Sequence, residues 1–153
     1  MKIVINSCYG GFSLSKQATK RLAELQGKKC FFYTSSKDIY EKVDDETESS
    51  FWSAFTIENP DELNEILNHN KSWRSMTDEQ RDEYNNKFRE IHINNRPSDR
   101  TDPLLIQVVE ELGEKADGDC AELKIIEIPD FIEYYIREYD GNESVEEKHR
   151  SWD

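Results

Sequence analysis

KIVINSCYGGFSLSKQATKRLAELQGKKCFFYT, residues 2–34, is the stretch on which the reading of the fold turns. Residues 2–6, KIVIN, are a short run of apolar, mostly β-branched side chains, the pattern of a strand buried on both faces. Leu14, Ala18, Leu22 and Leu25 then recur at helical spacing, with Ser13 or Ser15 as cap and Gly27 as stop. Residues 29–34, KCFFYT, read as a second strand. Strand, helix and strand in so short a span predict a βαβ unit, with parallel strands and a right-handed crossover.

Outward from this unit, the polar and acidic residues 35–50 predict a surface loop, or a short helix around Ile39–Val43. FWSAFTI, residues 51–57, reads as a third strand. Asn59 caps a helix opened by Pro60, with Leu63, Ile66 and Leu67 on its apolar face. Thr77-Asp78-Glu79-Gln80 is a capping box, and the helix behind it carries Tyr84, Phe88 and Ile91 on one stripe. About residues 44–95 therefore read as a variable, mostly helical, polar insertion. NNRPSDRTDP, residues 94–103, breaks structure, after which Asp102 caps a helix with Pro103 at its first position and Leu104, Leu105, Val108, Val109 and Leu112 facing inward as far as Gly113. Ala121–Ile128 and Tyr134–Tyr139 read as strands, antiparallel if the Pro129-Asp130 link is a hairpin, and Asp140-Gly141 as the turn into a closing helix with Val145, His149 and Trp152 on one side. The expectation is one α/β (or α+β) domain over residues 1–153. It is a small mixed sheet built on the N-terminal βαβ unit, flanked by helices and carrying the insertion.

The apolar fraction of 35% is lean, but aromatic residues at 11% let a small core of large rings hold the fold. A formal net charge of −13 repels nucleic acid and anionic lipid, so direct nucleic-acid binding and membrane attachment are not expected. Cys8, Cys30 and Cys120 form no CxxC pair and no disulfide framework, the three histidines have no metal spacing, and no metal or cofactor is expected. The opening MKIVINSCYGG lacks the pattern of a secretory leader, and no apolar run reaches membrane-spanning length, which points to the cytoplasm.

Chemistry has three candidate places. The loop Asn6–Ser13 leaves a strand and enters a helix N-terminus, where Gly10 and Gly11 let backbone N–H groups approach an anion while Tyr9 and Phe12 stack on a base. In the plainer alternative the glycines only make a tight turn and Phe12 plugs the core. Cys8, in the same loop, is a nucleophile candidate without a neighbouring histidine. Arg96 and Arg100, just ahead of the Asp102-capped helix, suit a phosphate or carboxylate, and in the plainer alternative they bond neighbouring acidic side chains or carbonyls. The third place is the ending, with Tyr139, Asp140, Gly141, Glu143, Glu147, His149 and Arg150. Ligand-binding candidates are thus Asn6, Tyr9, Gly10, Gly11, Phe12, Ser13, Arg96, Arg100, Tyr139, Asp140 and Arg150. None of the residues forms a recognised catalytic signature.

MKIVINSCYGGFSLS, RTDPLLIQVVEELGEKADG with AELKIIEIPD, and EYDGNESVEEKHRSW together resemble a family of small proteins encoded by tailed bacteriophages and prophages. The resemblance covers residues 1–34 and 96–153. It implies expression inside a bacterial host cell, and it suggests one shared surface for the glycine loop, the arginine loop and the YDG ending. The leading expectation is a binding protein that sequesters a nucleotide or other anionic small molecule of host defence. The alternatives are an acidic DNA mimic or protein-binding inhibitor of a host factor, and an enzyme acting on nucleotides or nucleosides with Asp140 or Glu143 as acid or base.

Overall fold

The computed structural model describes residues 1–36, 39–46, 51–67 and 73–148. In chain order the elements are β1 (Lys2–Asn6), α1 (Lys16–Leu25), β2 (Phe31–Ser36), β3 (Ile39–Val43), β4 (Ser53–Phe55), α2 (Pro60–Leu67), α3 (Asp78–Ile91), β5 (His92–Ile93), α4 (Pro103–Leu112), β6 (Leu123–Glu127), β7 (Tyr134–Tyr139) and β8 (Asn142–Glu147). Helix and strand are mixed throughout, as expected, and every described strand pair is antiparallel. The chain divides into two compact units, Met1–Leu25 with Asn95–Asp153, and Gln26–Asn94.

In the first unit, β1 is buried along Ile3, Val4 and Ile5, which is why its sequence is continuously apolar. It pairs with β6 from Lys2↔Glu127 to Asn6↔Leu123. On its other side the Val4 N–H donates to the Arg100 carbonyl at 2.9 Å. The core joins Val4 to Phe12, Leu14, Ala18 and Leu22 of the α1 side and to Leu105, Val108 and Val109 of α4. The Ser15 hydroxyl accepts from the Ala18 N–H (3.1 Å), and the Asp102 carboxylate accepts from the Leu104 N–H (3.0 Å), so both helix starts are capped by their expected residues.

The βαβ expectation is corrected. After α1 the chain turns at Gly27, where φ is +77°, and β2 joins a different sheet from β1. An apolar run reports burial and leaves the partner and direction of pairing open. Two further expectations change. Ile39–Val43 is a strand, β3, antiparallel to β2 from Phe32↔Val43 to Ser36↔Ile39. Tyr134–Tyr139 pairs with β8 in place of β6, and the closing helix is replaced through Glu147 by that strand. His149, Arg150 and Trp152 lie outside the described residues.

The second unit carries a four-stranded sheet in the order β3-β2-β4-β5. It begins at Gln26, ahead of residue 44, because β2 and β3 belong to it. Its core is a set of rings meeting edge to face. Phe55 lies 5.8 Å from Tyr33, 5.2 Å from Tyr40 and 5.7 Å from Phe88, with Leu63, Leu67 and Ile91 packed around them. The Thr77–Gln80 capping box opens α3 with both of its bonds formed.

The outer edge of β3 is closed by one side chain. Asn64 of α2 accepts from the Tyr40 N–H and donates to the Tyr40 carbonyl, both at 2.9 Å, so its amide pairs like a neighbouring strand. Asn64→Ala leaves both half-buried backbone groups without that partner and will destabilise this unit by about 1–3 kcal/mol. Thermal denaturation followed by circular dichroism checks this.

Candidate functional site

The three places singled out in sequence meet in the first unit, and the junction begins with Asn6. This fully buried residue ends β1, and its side-chain amide and its backbone N–H are all engaged. Its side-chain amide donates to the carbonyls of Cys8 (2.8 Å) and Gly141 (2.7 Å), and its amide oxygen accepts from the Glu122 N–H (2.8 Å). One side chain thereby ties the glycine loop, the entry to β6 and the turn of the last hairpin.

That turn is Asp140-Gly141, with φ of +49° and +86°, the two-residue form that joins strands of ordinary twist. The Gly10 N–H donates to the Asp140 carbonyl at 3.2 Å. A Cβ on Gly141 would lie 2.2 Å from the Gly11 nitrogen, and one on Gly10 would lie 2.6 Å from the Cys120 Cβ. Gly10 and Gly141 therefore serve close approach between segments of the protein itself. Phe12 is buried in the core, and nearly buried Ser13 accepts at its carbonyl from the Gly118 N–H (3.0 Å).

Arg100 lies over this floor with its guanidinium carbon 3.5 Å from the Phe12 ring centroid, in cation–π contact. Its Nη1 and Nη2 donate to the two oxygens of Glu143 at 2.6 and 3.1 Å, and its Nε donates to the Pro97 carbonyl at 3.2 Å. The same Glu143 oxygen accepts from the Asn6 N–H at 2.9 Å. The side chains are only 16% and 9% exposed, so the pair is shielded from water. The place expected to receive an external anion thus holds the carboxylate of Glu143, in the fork geometry that suits such a ligand.

The remaining predicted residues divide. Tyr9 and Tyr139 are exposed, Asp140 contributes its backbone, and Arg96 is on the surface of the same irregular stretch. Arg150 is outside the described residues. The Cys8 thiol donates to the Tyr9 carbonyl at 3.3 Å, and among the described residues no imidazole is bonded to it. Among the described residues no cluster of three or more His, Cys, Asp or Glu is placed to hold a metal, and no helix is long and apolar enough to cross a membrane.

No protein-family model, curated protein or solved structure matches the chain.

The surface that sequence reading left out is the outer face of the β7–β8 hairpin. Tyr135, Arg137 and Tyr139 stand on that face opposite Glu146, Ser144 and Asn142. The tyrosines are 41% and 75% exposed, and the Arg137 side chain is 69% exposed. The Tyr135 hydroxyl donates to Glu146 (2.7 Å), which with burial pushes its pKa above the ordinary tyrosine value, and Arg137 reaches the other Glu146 oxygen at 3.3 Å. A depression of about 240 Å³ runs along Arg137, Tyr139, Ser144 and Glu146. The signal was present in sequence: Asp-Gly between two six-residue runs is a strong hairpin mark.

Proposed function

We propose that the chain is an acidic protein-binding module, acting in the cytoplasm of a bacterial host on a host protein, and that the β7–β8 hairpin carries the contact. The observation that carries this reading is the pairing of a filled anion seat with an exposed Tyr-Arg-Tyr row on the strand beside it. Tyrosine and arginine are the residues that anchor protein interfaces, because each combines large contact area with directed hydrogen bonds. The formal net charge of −13 steers such a surface toward a basic partner. The resemblance to phage-encoded proteins supports a host protein as that partner.

The leading alternative, capture of a nucleotide-like anion over the glycine loop, needs the arginine that lies there to be open to the anion. Arg100 is spent on Glu143, Pro97 and Phe12. Thermal shift against a panel of nucleotides should therefore show no stabilisation, whereas a ligand at a hundredfold excess over its Kd would add about 2.7 kcal/mol. Affinity capture from bacterial lysate provides the positive test. Wild type should retain a partner that the Tyr135→Ala/Tyr139→Ala variant loses, since truncating an interface anchor costs about 2 kcal/mol or more. Equal capture by both forms, or stabilisation by a nucleotide, would contradict the reading.

A further inference from the structure

We infer that the free edge of β7 takes up an extended, lysine- or arginine-rich segment of the partner as an added strand. This rests on the protein-binding reading and assigns its mode. The two-residue turn sets the phase of the hairpin. Tyr139↔Asn142 flanks the turn as a hydrogen-bonded pair, so Arg137↔Ser144 and Tyr135↔Glu146 are bonded pairs as well. The Lys148 N–H donating to the Glu133 carbonyl at 2.9 Å continues that phase. The N–H and C=O groups of Tyr134, Ile136 and Glu138 consequently point away from β8. β8 lies toward β1, where Glu143 meets the Asn6 N–H, which leaves β7 outermost. Among the described residues the sheet has two strands only, and no backbone group bonds to that edge.

Proteins ordinarily blunt such an edge with proline, a bulge, an inward charge or a covering segment. β3 is blunted by Asn64. β7 has no proline, and its register with β8 runs without a bulge from Tyr134 to Tyr139. Its backbone is thus a template for strand addition, and its alternating side chains supply specificity.

Charge selects the occupant. Glu133, Glu138 and Asp140 lie in or next to the strand in sequence, and Glu146 and Glu147 stand opposite Tyr135 and Tyr134, against Arg137 and Lys148. A cationic segment is drawn to this edge, whereas a second copy would bring another net charge of −13. Apolar residues alternating with lysine or arginine would pack beside Tyr135 and Tyr139 on one face or beside Tyr134 and Ile136 on the other.

The test uses the full chain and a capped octapeptide of alternating lysine and valine, with the glutamate–valine peptide as control, followed by NMR-detected hydrogen exchange. The cationic peptide should slow exchange at Tyr134, Ile136 and Glu138 by about tenfold or more, with little change at Tyr135 and Arg137, which are already bonded. Glu133→Lys/Glu147→Lys, which leaves the hairpin's own bonds intact, should weaken binding about tenfold at low salt. Binding that protects other amides, binding unaffected by the charge reversal, or equal binding of the acidic peptide would overturn the inference. So would protection of the same amides by self-association without peptide, since the occupant would then be a second copy. Failure of the peptide beside tyrosine-dependent capture from lysate would sink the strand-addition mode and leave the protein-binding reading standing. Failure of both would sink both.

Discussion

Replacing Glu143 by alanine will destabilise the unit formed by Met1–Leu25 and Asn95–Asp153 by about 3–5 kcal/mol, the usual cost of leaving one member of a buried ion pair without its partner. The variant strands the Arg100 guanidinium over Phe12 in a place where its side chain is only 16% exposed. It also removes the acceptor of the Asn6 N–H and the polar tie between β8 and β1. Glu143→Gln keeps oxygen and nitrogen in place but loses the charge, so its effect will be smaller. The double variant Arg100→Met/Glu143→Leu will recover a large part of the loss, because an apolar pair of similar volume demands no desolvated charge. Thermal melts of the three variants, with hydrogen exchange at Asn6, check the order. A single Glu143→Ala variant as stable as wild type would show that the pair contributes nothing.

Gly141→Ala will have the second large effect. Its Cβ would sit 2.2 Å from the nitrogen of Gly11 and 2.6 Å from that of Gly10, both backbone atoms that cannot swing aside. The φ of +86° adds the left-handed penalty of about 1–2 kcal/mol, and forced overpacking adds about 1–3 kcal/mol. The hairpin must move off the glycine loop, breaking the bonds from Gly10 to Asp140 and from Asn6 to Gly141. Gly27→Ala is the internal comparison. It has a positive φ of +77° but nothing within 4 Å of its Cβ, so it carries the backbone penalty alone. Denaturant unfolding should rank Gly141→Ala well below Gly27→Ala, and equal midpoints would contradict the close packing at the turn.

These two positions also mark how far residue patterns carry. The helices were legible because their signals are local: Asp102-Pro103 with Gly113, the Thr77–Gln80 box, and Asn59 ahead of Pro60 each act within one turn. The burial of KIVIN was equally legible, but its partner was not, since β6 is more than a hundred residues away and apolar runs do not encode direction. β3 was missed because IYEKV on a half-covered edge strand is too polar to read as buried sheet. The last hairpin was missed although Asp140-Gly141 announces it, because Val145, His149 and Trp152 also satisfy a helical period. The structure brings Asn6, Gly10, Arg100 and Asp140 together, a grouping that only the resemblance had suggested, because no local residue pattern links the glycine loop to a turn more than a hundred residues away. That Glu143 would fill the arginine's fork depended on the hairpin, and so could not be read before it.

The most direct test of the whole account is NMR of the Arg100 guanidinium in the intact protein, with and without saturating nucleoside triphosphate or inorganic phosphate. The Nη protons should show hindered rotation, cross-peaks to the Phe12 ring, and no response to either anion. Freely rotating Nη groups, or resonances that move as anion is added, would mean that Glu143 does not hold the site and that an external anion does.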